Sequence, residues 1–231
     1  MSCAPKIDRP LPPHMTDLTF HIEGVSAAPF AAVPQLTFRL RISQRDGVVV
    51  HTLVLRCQVE IEPTRRRYTA DEQERLVELF GEPEHWPDTP RALVWAQTGM
   101  VVPAFQGETL VDLPVPCTFD FNVAATRYFQ TFETGDLPLR FLFNGTVFYE
   151  STAREVQVAP IPWDRESTFH MPVEAWRTVM DSYYPNTAWL SLRRDVLMRL
   201  LDFRMREGLR TWEHAVERLL GQAEQEEKVV P

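Results

Sequence analysis

Apolar and polar residues alternate through the first third of the chain. Leu18, Phe20 and Ile22 recur at every second position, as do Leu36, Phe38, Leu40 and Ile42 with Arg39 and Arg41 between them. A period of two puts each set on one face of an extended segment, so these residues predict half-buried strands. The longest run sets Leu53, Leu55, Cys57, Val59 and Ile61 on one face and Val54, Arg56, Gln58, Glu60 and Glu62 on the other. One dry face and one wetter face is the signature of an antiparallel sheet that is covered on one side.

The period then lengthens. Thr69-Ala70-Asp71-Glu72 reads as a capping box that opens a short helix through Leu76, Leu79 and Phe80, with Gly81 as its stop. A proline-rich loop, Pro83 to Pro90, leads to extended segments over 92–102 and 109–115. Val123, Tyr128, Phe129 and Phe132 recur at helical spacing before Gly135. Leu137–Phe143 and Thr146–Glu150 flank Asn144-Gly145, which predicts a hairpin closed by a type I′ turn. Short strands near 156–158 and 168–170 end the extended part. Pro172 then opens a helix with Val173, Trp176, Val179, Met180 and Tyr183 on one face, and two further helices follow, Asp195–Arg206 and one capped by Thr211, separated by Gly208.

Strands first and helices last predict the α+β class. The expected organisation is a flexible tail over 1–16, a mainly antiparallel sheet domain with inserted helices over 17–170, a helical region over 171–222 and an acidic tail over 223–231.

Composition narrows the function. The 231 residues carry 24 basic against 32 acidic side chains, a formal charge of -8, which disfavours nucleic acid and anionic membrane as partners of the whole surface. Nine glycines leave little material for phosphate-binding loops, and G-x-S-x-G, H-E-x-x-H, G-x-G-x-x-G and P-loop motifs are missing. No apolar run is long enough to span a membrane and no apolar leader opens the chain, so a cytoplasmic protein is expected. Cys3, Cys57 and Cys117 form no C-x-x-C, in keeping with a reducing compartment. No catalytic residue, metal or cofactor is assigned. Glu82, Glu84, His85 and Asp88 read as a polar loop, and Cys57 reads as a small core hydrophobe.

Three groups remain as candidate sites. Trp86 stands between His85 and Pro87 without a periodic apolar partner, which makes Trp86 and His85 candidates for a partner-binding surface. Trp189 joins them on the outward face of a short extended segment with Ser191 and Arg193. Arg65, Arg66 and Arg67, just before the capped helix at Thr69, are a candidate anion site. Trp176 and Trp212 fall on helix faces with other apolar residues and are expected inside.

The spacing of Leu190, Leu192, Leu197, Leu201, Met205, Gly208, Val216 and Leu219 is similar to that of ribbon–helix–helix modules, which implies DNA binding as an alternative function. The segment from Cys117 to Phe148 resembles the helix–Gly–Pro–strand segment of SecB-type export chaperones, which hold unfolded clients as acidic sheet-plus-helix oligomers. Over nearly its full length the chain resembles an uncharacterised bacterial family. The resemblance rests on Leu55-Arg56-Cys57-Gln58-Val59, Ile61-Glu62-Pro63, Arg66-Arg67-Tyr68, Leu79-Phe80-Gly81-Glu82-Pro83, Pro114-Val115-Pro116-Cys117-Thr118, Gly145-Thr146-Val147-Phe148 and Tyr184-Pro185-Asn186. It implies genes placed beside those of high-affinity nickel–iron hydrogenases. The expectation is therefore a non-catalytic accessory or chaperone-like protein whose partner is a protein client or enzyme complex, with homo-oligomer formation left open.

Overall fold

Side chains that alternate in sequence are sorted in space by two antiparallel sheets. The computed structural model describes residues 18–227 apart from 29, 46, 87–90, 118–122, 152 and 188–191. The first sheet has the order β1 (Leu18–Ala27), β2 (Gln35–Gln44), β6 (Glu108–Pro116). The second runs β4 (Leu93–Val102), β3 (Val49–Ile61), β7 (Asp136–Glu150), after which β8 (Val156–Pro160) and β9 (Arg165–Pro172) share the far edge of β7. The two-residue β5 (Phe105–Gln106) pairs with the start of β3. Leu36, Phe38, Leu40 and Ile42 of β2 are fully buried, as are Leu53, Leu55, Val59 and Ile61 of β3, so the two dry faces form the core. Phe38 of the first sheet meets Trp95, Phe141 and Phe169 of the second. The sheet edges are also tied: the Ile22 N–H donates to Ser167 Oγ, and Thr98 Oγ1 donates to the Pro114 carbonyl.

In the first compact unit, which extends to Pro185, α1 (Ala70–Phe80) packs against α2 (Val123–Gln130), α2 against β4, and α3 (Val173–Tyr183) against β1, β2 and β9. Helix α1 opens with the expected capping box: Thr69 Oγ1 accepts from the Glu72 N–H, and Glu72 Oε2 accepts from the Thr69 N–H at 2.9 Å. Helix α2 buries Ala125, Tyr128 and Phe129. Helix α3 buries Val173, Trp176, Val179 and Met180, and its Arg177 donates to the Phe132 carbonyl. By these contacts α3 belongs with the sheets, so the first unit ends fifteen residues or so beyond the expected 170. The fold class is α+β.

Two expectations change. No hairpin forms at Asn144-Gly145; β7 is one strand of 15 residues, and pairing with β3 continues through both positions. Glu60 and Glu62, expected on the wetter face, are buried at 8% exposure each, held by Arg140 and Arg65.

The second unit, Asn186–Pro231, contains α4 (Arg194–Arg206) and α5 (Trp212–Glu227). Gly208, at φ 66°, ends the first, and Thr211 Oγ1 caps the second by accepting from the His214 N–H. Helix α5 runs to Glu227 because 223–227 holds good helix formers and no breaker, so the expected acidic tail is helical over that span. The expected tail over 1–16 and the extended segment carrying Trp189 and Ser191 lie outside the described residues.

Candidate protein-binding face

Strand register decides which side chains meet on the outside of the larger sheet. Val54 of β3 lies between Val101 of β4 and Thr146 of β7, and Thr146 lies beside Pro160 of β8. The next row is Thr52, Phe148 and Val158, and Val156 follows beside Glu150. Val101, Val156 and Val158 are 64%, 61% and 59% exposed. Single exposed valines are ordinary, but these are gathered on one face of one sheet. Strand β8 is also an edge: among the described residues no strand pairs with its far side. Such an edge offers unpaired N–H and C=O groups to another chain. Trp163, in the turn that follows β8, is 89% exposed.

Further along the same face the chemistry turns polar. The rows Gly99, Arg56, Asn144 and Gln97, Gln58, Leu142 continue the ladder. Arg56, Gln58, Gln97, Thr98, Gly99 and Asn144 line an open cleft of about 500 Å³. Its amides are held in place: Gln97 Nε2 donates to Gln58 Oε1 at 3.0 Å, and Gln58 Nε2 donates to Glu60 Oε1 at 2.8 Å. Glu60 is anchored in turn by Arg140, whose Nη2 lies 2.7 Å from Glu60 Oε2. That hydrogen bond pushes the Arg140 pKa up, so the anchor keeps its charge. The face as a whole is apolar at one end and carries oriented amide donors and acceptors at the other.

The residues singled out from sequence are distributed differently. His85 is exposed, while Trp86 is half-buried: its Nε1 donates to the Gly81 carbonyl at 2.9 Å and its ring meets Tyr68 and Phe80 edge-on. Trp86 therefore takes part in the packing that seats α1. Trp189 lies outside the described residues. Arg65 pairs with Glu62 at 3.1 Å, and Arg67 is exposed. Arg66 sits over the Phe132 ring at 4.0 Å and donates to Glu72 and to the carbonyls of Thr134 and Asp136. That guanidinium ties the loop before α1 to the loop before β7, and the three arginines do not converge on one point. Burial pushes the thiols of Cys57 and Cys117 up to about 12, so neither is a thiolate near neutral pH. Among the described residues no group of three or more His, Cys, Asp or Glu is placed to hold a metal ion.

Alternation in sequence puts Val54, Arg56 and Gln58 on one face of β3, but does not bring Val101, Phe148, Val158 and Trp163 to it. The alternation Val156-Gln157-Val158 was the available signal for the edge strand. Which strands lie beside it is a matter of register that one sequence does not display.

A buried hydrogen-bond chain beside α2 yields a directional prediction. Tyr68 OH lies 2.7 Å from the Pro63 carbonyl and 2.8 Å from Tyr128 OH. A carbonyl only accepts, so the Tyr68 proton goes to Pro63 and Tyr128 donates to Tyr68. Burial pushes Tyr68 up to about 12 and Tyr128 higher still, so both keep their protons. Tyr128→Phe removes one hydrogen bond and strands no donor, an expected loss of about 0.5–1.5 kcal/mol. Tyr68→Phe leaves the fully buried Tyr128 hydroxyl and the Pro63 carbonyl without their partner, an expected loss of roughly 1–3 kcal/mol. Denaturant unfolding of both variants checks the order, and the reverse order would show the proton running the other way.

A family model, DUF6084, described as a family of unknown function, matches residues 15–228. The chain belongs to that family. The DUF6084 match takes in both compact units, so the outer sheet face and the helical unit are both within it. No curated protein matches the chain. Among the described residues no helix of this DUF6084 protein is long and apolar enough to cross a membrane.

Proposed function

We propose that this DUF6084 protein is a non-catalytic accessory or chaperone-like module that holds an extended segment of a client protein on the outer face of its larger sheet. The observation that carries the reading is the edge of β8, unpaired among the described residues, beside the apolar set Val54, Val101, Phe148, Val156 and Val158. A client strand added to β8 gains main-chain hydrogen bonds, and its alternate side chains reach the valines, which is the physics of strand addition. Trp163 supplies a large rigid contact at the end of that edge. A metalloenzyme under assembly, of the nickel–iron hydrogenase kind, is the client that the family resemblance implies.

The test is affinity purification of the tagged full chain at native expression, comparing wild type with Val158→Arg and Trp163→Ala. A defined client is expected with wild type, and its recovery is expected to fall about tenfold or more in each variant, the size of a hot-spot truncation, with the melting temperature unchanged. Equal recovery from all three would overturn the proposal.

The arginine excess of α4 favours a second reading, a DNA-binding regulator acting through the C-terminal unit. Phosphate contacts weaken steeply with salt. A gel shift at low salt that is abolished by Arg193→Ala, with no client captured, would put this reading ahead.

A further inference from the structure

The helical unit presents an amphipathic surface, and little of it is buried among the described residues. Among its described residues only Ala215 is buried, whereas Leu197, Met198, Val216, Leu219 and Leu220 are all exposed, and Trp212, expected inside, is 38% exposed. Trp212, Ala215, Val216 and Leu219 recur at three and four residues along α5, the spacing of a helix that packs against another helix. Short helices draw most of their stability from packing of such a face, so a hairpin that buries a single alanine is incomplete by itself.

Charge indicates what completes it. Helix α4 carries four Arg against two Asp, and α5 carries five Glu against one Arg. The two flanks of the hairpin differ in the same sense. One is an apolar cleft of about 570 Å³ lined by Leu197, Leu200, Trp212 and Val216 with Glu213 and Glu217, the Trp212 ring carrying the Arg204 guanidinium of the same hairpin at 4.0 Å. The other, about 510 Å³, is lined by Leu200, Phe203 and Leu219 with two basic side chains, Arg199 and Arg206, against one acidic, Asp202. Glu213 stays charged: the N–H of its own residue and then the Thr211 hydroxyl hold its carboxyl below the usual range. An apolar cleft with acidic side chains in its lining fits a helix that is apolar on one face and basic beside it, and α4 of this chain is such a helix.

We infer that the occupant is a second copy of this chain. Two hairpins pair about a two-fold axis, α4 of each entering the cleft of the other that holds Glu213 and Glu217, so that the apolar stripes form a four-helix core and each basic flank faces an acidic one. A two-fold interface uses the same patch twice, and a hairpin with one basic and one acidic flank is self-complementary in that way. This surface shares no residue with the sheet face proposed for the client.

Sedimentation velocity of the full chain across micromolar concentrations tests the inference. A dimer is expected, and Leu197→Arg combined with Val216→Arg is expected to give a monomer that keeps the far-ultraviolet strand signal of the sheet unit. Charge reversal is the more specific arm. Glu213→Arg with Glu217→Arg, or Arg199→Glu with Arg206→Glu, is expected to weaken the dimer, and all four reversals in one chain are expected to restore it. If the apolar double variant unfolds, the reversal series decides. A wild-type monomer at every concentration, a dimer indifferent to these variants, or failure of the four reversals to restore association would each overturn the inference.

Discussion

Replacing Gly145 with alanine is expected to cost about 4 kcal/mol or more, a loss that few single substitutions reach. Gly145 has a φ of 144°, which side chains other than glycine rarely adopt, and a Cβ there would lie 2.0 Å from the Val54 carbonyl oxygen. That oxygen is backbone of the central strand β3, so relief requires opening the ladder between β3 and β7. The position is also where β7 changes partners: β9 pairs with it up to Phe143, β8 from Thr146, and the Ile161 N–H donates to the Gly145 carbonyl at 2.9 Å. Gly24→Ala is the control, because a Cβ there meets nothing within 4 Å; it is expected to change stability by no more than about 0.5 kcal/mol. Urea unfolding of both proteins measures the difference. A loss below about 1 kcal/mol for Gly145→Ala would mean that β3 and β7 do not approach as described.

The same residue shows where sequence reasoning stops. Asn-Gly between two apolar runs is a strong local turn signal, yet a turn there would pair residues 137–143 with 146–150 and leave only one of the two runs beside β3. The fold instead uses Leu139, Phe141, Phe143 and Val147, all buried, against Leu53 through Ile61 over the length of β3. Long-range burial outweighs a turn preference that depends on two residues. Where local and tertiary demands agree, the reading holds: Thr69 and Glu72 cap α1 as their spacing requires, and Leu53 to Ile61 face inward as their alternation requires. The candidate site was half legible for a related reason. Alternation assigns Val54, Arg56 and Gln58 to a face, but only strand order and register bring Val101, Phe148 and Val158 beside them. Glu60 and Glu62 look solvated in sequence because the arginines that neutralise them, Arg140 and Arg65, are set against them by the fold.

Truncation of Phe38 should separate the core from that outer face. Phe38 is fully buried on the middle strand of the smaller sheet, and its ring lies 6.3 Å from Trp95, 5.0 Å from Phe141 and 6.1 Å from Phe169, three side chains from three strands of the larger one. Removing it leaves a cavity that rigid strands on both sides cannot close, so Phe38→Ala is expected to lose about 3–5 kcal/mol. Phe38→Leu keeps most of the volume and should lose roughly 1.5 kcal/mol. Both are read from denaturant midpoints, and a loss below about 1 kcal/mol for Phe38→Ala would show that the two sheets do not pack through this residue. Phe38 and Val158 lie on opposite sides of the larger sheet, one under it and one upon it. Below its lowered melting temperature Phe38→Ala should therefore still recover client at the wild-type level. Val158→Arg should do the reverse, leaving the melting temperature in place while recovery falls, because its side chain contributes to a surface that the isolated fold does not need.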